Sequence, residues 1–444
     1  MILLFLLCVL TAVVGVTAYV MIWHRSGDTL EPMLVAIPIA MFFNVMQPLI
    51  LLRAGLVQDY YTTNEAVFVQ TISLLLFLGF CAGGIVGTGN VRWSARMKRI
   101  ELNEPARRAL LVGGCILGII GSSMRGLLIW RAGGILAMYG RAYGGNNVDQ
   151  TGWLLDAWYV CFSGIILIAA SSVGRRPTLW HFAAMLLFAL PHVGHALLGA
   201  RRGPLFAAVT VVGASLYLFQ YRRPKLVTIW LGGVVLGYAI LLLVANRENI
   251  YLGAGEREEK RASDAYVFTS SPGVEFFAGG GKALAAEELK QSGLGLEWLT
   301  VALLRPIPRE WMPDKYEVIP DPQVDFYDVQ RVLGWGPAPG AAETFLLELF
   351  KQFRWFGILA AFAAGWLLSR AWRFTLQHDD LRGLAMMVAI LQGLLHLMAQ
   401  DFKAFVVPFL MIYLPCHLVI SYVQRGRRTH APQAARAALN WNRA

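Results

Sequence analysis

The turn Gly199-Ala-Arg-Arg-Gly-Pro-Leu205 puts two arginines side by side between two apolar runs. A guanidinium is planar and permanently charged and carries several N–H donors, so Arg201 and Arg202 suit a phosphate or pyrophosphate group. The competing reading is a pair that reaches out to lipid headgroups. Arg125 lies near the end of another apolar run, with Arg131 and Gly133-Gly134 just beyond it. An arginine inside such a run is costly unless it faces protein or water, which marks it as a site residue by default; reaching to the nearby interface accounts for it as well. His192 and His195 stand three residues apart, on a similar helical face, one turn before the arginine pair. One of them would serve as a base or as a donor to a diphosphate, and buried, hydrogen-bonded histidines are the simpler account.

A third group of cations, Arg305, Arg309 and Lys315, is interleaved with Pro306, Pro308, Trp311, Met312 and Pro313. The prolines forbid one continuous helix, and the apolar residues suit a membrane–water interface. That segment reads either as a lid that hands cations to an anion or as a plain interface anchor. Glu343, Glu348 and His396 have the chemistry of a general base, and the two glutamates would equally well only neutralise an arginine. The run Gly279-Gly-Gly281 reads as a flexible point, because the Gly-Lys-Ser/Thr of a phosphate-binding loop is missing. Walker, dinucleotide-binding, His-Glu-x-x-His and Gly-x-Ser-x-Gly motifs are also missing, so nothing signals a metal, nucleotide or redox cofactor.

The elements that must position these residues are membrane helices. Of 444 residues, 57% are hydrophobic and only 15% charged, where a soluble domain carries about a quarter charged. About eleven apolar runs recur, each close to the roughly 20 residues that cross a bilayer as a helix. They are Ile2–Trp23, Met33–Leu52, Val67–Gly87, Leu110–Trp130, Trp153–Ser172, Trp180–Leu198, Leu205–Phe219, Val227–Ala245, Phe356–Leu368, Leu384–Met398 and Phe405–Ser421. Ile2–Trp23 lacks a basic leader and reads as a first span. Lipid cannot satisfy free backbone groups, so the fold class is all-α and polytopic.

Between the eighth and ninth spans lies a polar insert, Arg247 to Gly340. It holds 10 Lys/Arg against 15 Asp/Glu, while the rest of the chain holds 29 against 13. The net charge of +11 therefore sits outside the insert, in alternate short loops such as Arg92–Arg108, Arg175–Arg176, Arg222–Lys225 and Arg370–Arg382. That pattern marks one cytoplasmic face, excludes a nucleic-acid surface, and leaves the insert outside. The chain divides into an N-terminal bundle (1–246), the insert or lid (247–340), C-terminal helices (341–424) and a basic, poorly ordered cytoplasmic tail (425–444). All five cysteines fall in apolar runs, so no disulfide framework is signalled.

With these residues in view, the chain resembles the Wzy-type O-antigen polymerases, a family of bacterial oligosaccharide repeat-unit polymerases. The resemblance covers the many spans with one large loop in the second half. Locally it rests on the Gly199–Leu205 turn, on Arg305-Pro-Ile-Pro-Arg309 with Pro313-Asp-Lys315, on Glu343 followed by Phe353-Arg-Trp-Phe-Gly357, and on Gln400-Asp-Phe402. The family often shows Arg-Gly-Asp at the last position, and here the arginine is replaced by Gln400 or is missing. The resemblance implies a GT-C-like membrane protein of the bacterial inner membrane with its active site on the periplasmic side. It implies metal-independent, inverting glycosyl transfer between undecaprenyl-pyrophosphate-linked oligosaccharides, without a cofactor. Membrane lipid, a chain-length regulator and a flippase of the same pathway are the implied partners. A ligase-like lipid-linked glycosyltransferase and a lipid-linked sugar flippase or transporter are the alternatives. Arg125, Arg131, Arg201, Arg202, Arg305, Arg309 and Lys315 would hold the pyrophosphate, and Glu343, Glu348 or His396 would take the proton.

Overall fold

The computed structural model describes residues 1–90, 92–93, 100–140, 154–199, 201–246, 274–304, 307, 311–312, 314, 324, 326–337, 341–378 and 380–441. Among these the chain is all helix and turn. The membrane helices are α1 (Ile2–Ser26), α2 (Pro32–Arg53), α3 (Thr63–Thr88), α4 (Glu104–Arg131), α5 (Val160–Ser171), α6 (Leu179–Leu198), α7 (Arg202–Phe219) and α8 (Leu226–Ala245). The insert contributes α9 (Glu275–Glu288), α10 (Leu296–Leu304) and α11 (Phe326–Leu333). After it come α12 (Phe345–Phe353), α13 (Gly357–His378), α14 (Leu381–Ala399) and α15 (Phe402–Trp441).

Ten helical segments among the described residues are long and apolar enough to cross a membrane, as a polytopic membrane protein requires. The eleventh expected span is shorter. Trp153–Ser172 yields only a turn of helix at Leu154–Ala157 and the 12-residue α5. Apart from Val160, every residue of α5 is buried, so protein encloses it and it need not match the bilayer. Helix α15 runs to Trp441.

Two helix pairs pack backbone to backbone. A Cβ added at Gly83 of α3 would strike the Phe362 carbonyl of α13, and one at Gly121 of α4 would strike the Cys161 backbone of α5. Glycines at Gly79, Gly83 and Gly87 repeat every four residues and so line one stripe of α3, as do Gly114 and Gly118 on α4. Small residues at this spacing let membrane helices approach closely, where dispersion and weak backbone contacts replace the hydrophobic effect that lipid cannot supply.

Alternating crossings gather the starts of α3, α7 and α15 and the ends of α2, α4, α6 and α14 at the same end as the insert. The opposite end carries the Lys/Arg-rich loops. It is fastened by buried acids: Asp28 pairs with Arg223 at 2.5 Å and accepts from Trp372 Nε1 at 2.9 Å, and Glu31 accepts from Ser369 Oγ at 2.6 Å.

The insert is more ordered than a loop. Helix α9 packs on α3, α11 and α12, and its three glycines are not a flexible point. They lie mid-helix and buried, where a Cβ would press on Leu347, on Tyr61 and Val69, or on Trp335 and Val329. Their missing side chains are what let α9 sit against the bundle.

Candidate functional site

The site lies at the insert end and begins with a break in α2. Pro48 has no N–H for the Asn44 carbonyl, and the helix relaxes into a π turn over Phe42–Met46. Gln70 Nε2 of α3 supplies the missing donor to Asn44 O at 2.9 Å. Just past the bulge, Gln47 donates from Nε2 to Glu275 Oε2 at 2.8 Å and accepts from Phe276 N at 3.0 Å. Glu275 opens α9, and its other carboxylate oxygen pairs with Arg202, which opens α7. Arg202 lies over the Phe43 ring with its Cζ 5.8 Å from the centroid. An arginine at a helix N-terminus adds its charge to unpaired N–H groups, so this corner attracts an anion. Glu275 supplies one.

Gly203 follows Arg202 and leaves no Cβ between α7 and His396 of α14; one placed there would come within 3.2 Å of the imidazole Cδ2. The His396 ring is therefore seated on the first turn of α7, within electrostatic reach of Arg202, and its Nδ1 is buried without a hydrogen-bond partner. His192 lies within electrostatic reach of both His396 and Arg125 and joins this corner to a second cluster.

In that cluster Arg125 is 5% exposed. It donates to Tyr139 Oη and, at 2.5 Å, to His195 Nδ1, and lies 4.6 Å from the centroid of Trp158. Trp158 stacks at 3.7 Å on His192, which Phe162 covers from the other side at 3.8 Å. Among the described residues no carboxylate pairs with Arg125, and its Nε has no hydrogen-bond partner. Arg201, the N-cap of α7, lies within electrostatic reach of His195.

The predicted residues thus separate. Arg125, Arg201, Arg202 and His396 come together with His192 and His195, both of them buried as core histidines would be. Arg131 does not join them. It lies six residues beyond Arg125, about 120° around α4, and is exposed at the helix end. Arg305, Arg309 and Lys315 lie outside the described residues.

Glu343 and Glu348 belong to a different construction. Glu343 pairs with Lys282 of α9 and with Lys351 of α12 at 3.1 Å. Lys351 continues to Glu297 of α10 at 3.2 Å, and Glu297 pairs with Lys403 of α15. Glu348 accepts from Trp298 Nε1 at 2.6 Å and Phe402 N at 2.8 Å. Burial by itself would raise the Glu343 carboxyl, but the ammoniums of Lys351 and Lys282 outweigh it and hold the pKa at about 2. Such a carboxylate is a weak proton acceptor at neutral pH. This chain of alternating charges fastens the insert to α12 and α15. At its edge Arg354, a non-glycine residue with φ +49°, breaks α12 from α13 and pairs with Glu287 of α9 at 2.7 Å.

Sequence reasoning passed over Glu275, Gln47, Trp158 and Tyr139 as site residues. Glu275 carried one usable signal, a lone acid opening the apolar run Phe276-Phe-Ala-Gly-Gly-Gly281 inside an otherwise polar insert. Comparison with protein-family models, with curated proteins and with solved structures finds no match to this chain.

Proposed function

We propose that the chain is a membrane glycosyltransferase that polymerises oligosaccharide repeat units carried on a lipid pyrophosphate. The observation that carries this reading is Arg125, a buried guanidinium without a carboxylate partner among the described residues, in one cluster with Arg201, Arg202 and His396 beneath the insert. A buried cation calls for an anion, and a lipid-linked diphosphate can bring one to this depth while its chain stays in the bilayer. The Lys/Arg-rich loops at the opposite end favour a cytoplasmic assignment there, which puts the insert and the site on the periplasmic side of a bacterial inner membrane. Ten apolar helices and a long insert also agree with the Wzy-type resemblance.

In the reaction, a hydroxyl oxygen of the incoming unit attacks the anomeric carbon of the growing chain. The carbon–oxygen bond to the pyrophosphate breaks with inversion, and the electron pair leaves on the lipid pyrophosphate. Arg125, Arg201 and Arg202 stabilise that growing negative charge, Arg202 by exchanging Glu275 for the diphosphate. His396 takes the hydroxyl proton; of the three candidate bases it alone sits beside the arginines, and its Nδ1 is unengaged. The insert holds both lipid-tethered reactants in register.

The test is purified protein in liposomes with a lipid-pyrophosphate-linked repeat unit and no nucleotide. A ladder of longer lipid-linked glycans supports the proposal. Transfer to another acceptor only, or translocation without chain growth, overturns it in favour of a ligase or a flippase.

A further inference from the structure

The Arg202 guanidinium faces an environment full of the wrong anions. Phospholipid headgroups surround the helix ends, and a phosphodiester has the charge and donor-accepting geometry that an arginine fork binds. Arg202 is reachable, its side chain 35% exposed. One arm of its fork is nevertheless taken from within the chain, by Glu275, whose own side chain is 8% exposed. That carboxylate is set in place beforehand: Gln47 holds Oε2 at 2.8 Å and the following backbone N–H at 3.0 Å, while Tyr61 Oη holds the Phe277 carbonyl at 2.8 Å.

We infer that Glu275 is a selectivity residue, which keeps singly charged lipid headgroups off Arg202 and yields only to a group of higher charge. The inference rests on the proposed lipid-pyrophosphate substrate. The physical argument is one of exchange. A phosphodiester carries one negative charge, as Glu275 does, so replacing the carboxylate gains no charge and gives up the Gln47 contact. A sugar–lipid pyrophosphate carries two negative charges and gains from the same exchange, which strengthens with the low local dielectric. The carboxylate has the further advantage of being tethered, since an intramolecular partner needs no association step. Leaving requires only rotation of one side chain, because α9 is separately anchored through Lys282. The released carboxylate then stands beside the bound diphosphate.

The experiment uses the full chain in nanodiscs of phosphatidylcholine and phosphatidylglycerol, and counts phosphatidylglycerol retained per protein by mass spectrometry. Wild type, Glu275→Gln, Glu275→Asp and the double variant Glu275→Gln with Arg202→Ala are compared. The shorter aspartate keeps the buried charge but falls short of Arg202, which guards against an effect of misfolding. Wild type should match the double variant, while both single variants should retain on the order of tenfold more phosphatidylglycerol, as removing a competing contact of about 1.4 kcal/mol implies. Farnesyl pyrophosphate, used as the probe, should displace that extra lipid. Equal retention in wild type and both single variants overturns the inference. Extra lipid that farnesyl pyrophosphate cannot displace overturns instead the pyrophosphate reading of Arg202.

Discussion

Arg125 donates to Nδ1 of His195 at 2.5 Å. Arginine has no acceptor, so Nδ1 must accept, the ring proton resides on Nε2, and the histidine is neutral in this arrangement. The pair therefore carries one positive charge rather than two. His195 aims Arg125 without competing for the anion proposed to bind there.

Replacing Arg125 by lysine should keep the charge and lose the planar guanidinium whose Nη2 reaches Tyr139 and His195 together. Chain growth should fall by about a hundredfold or more, the usual scale for removing one preorganised donor. Glycan length on gels, normalised to folded protein by size-exclusion chromatography, checks this. Near-normal growth would mean that Arg125 only packs.

The charge chain between insert and bundle should fail when its centre is removed. Lys351 is 4% exposed on its side chain and lies between Glu343 and Glu297. Lys351→Met leaves two buried carboxylates without a shared ammonium, at a cost of about 3–5 kcal/mol. Limited proteolysis should then cut within 274–304 in the variant under conditions where wild type resists.

Acid should release the same fastening. The ordinary value for the Glu343 carboxyl is 4.5, and in the folded protein it is held at about 2. A depressed folded-state pKa contributes stability that is complete above the unfolded value and disappears as pH falls through the folded one. The insert should therefore loosen between about pH 4.5 and pH 2. Glu343→Gln should flatten that part of the profile in hydrogen exchange of α9, and an unchanged profile would assign the acid transition to other groups.

Two glycines of α4 should respond oppositely to alanine. Gly121 presses on the Cys161 backbone, whereas a Cβ at Gly126 meets nothing within 4 Å. Gly121→Ala must push α5 away and should lower the melting temperature sharply. Gly126→Ala should raise stability by about 0.5–1 kcal/mol through helix propensity. Thermal shift in detergent reads both.

The membrane helices were legible because hydropathy and length alone decide whether a segment crosses lipid. Helix α5 was legible as apolar but not as short, because its length follows from neighbours that bury it. The arginines stood out for the same reason that the helices did, as charges where lipid forbids them. Glu275 did not, since one acid among 28 gains meaning only from Arg202, 73 residues earlier. Gly279–Gly281 misled because local composition suggests freedom, while tertiary packing uses the same glycines for close contact. Glu343 and Glu348 had the right chemistry at the right boundary, and the structure adds their partners: two lysines for Glu343, and the Trp298 and Phe402 N–H groups for Glu348.

Arg125 sets a depth. It lies six residues, about 9 Å, below the end of α4. On the proposed function, a lipid diphosphate has to descend past the end of α4 to reach it and draw its first sugar in behind it. Bilayer thickness would then be a variable of that reaction: in thicker lipid the same headgroup has farther to descend.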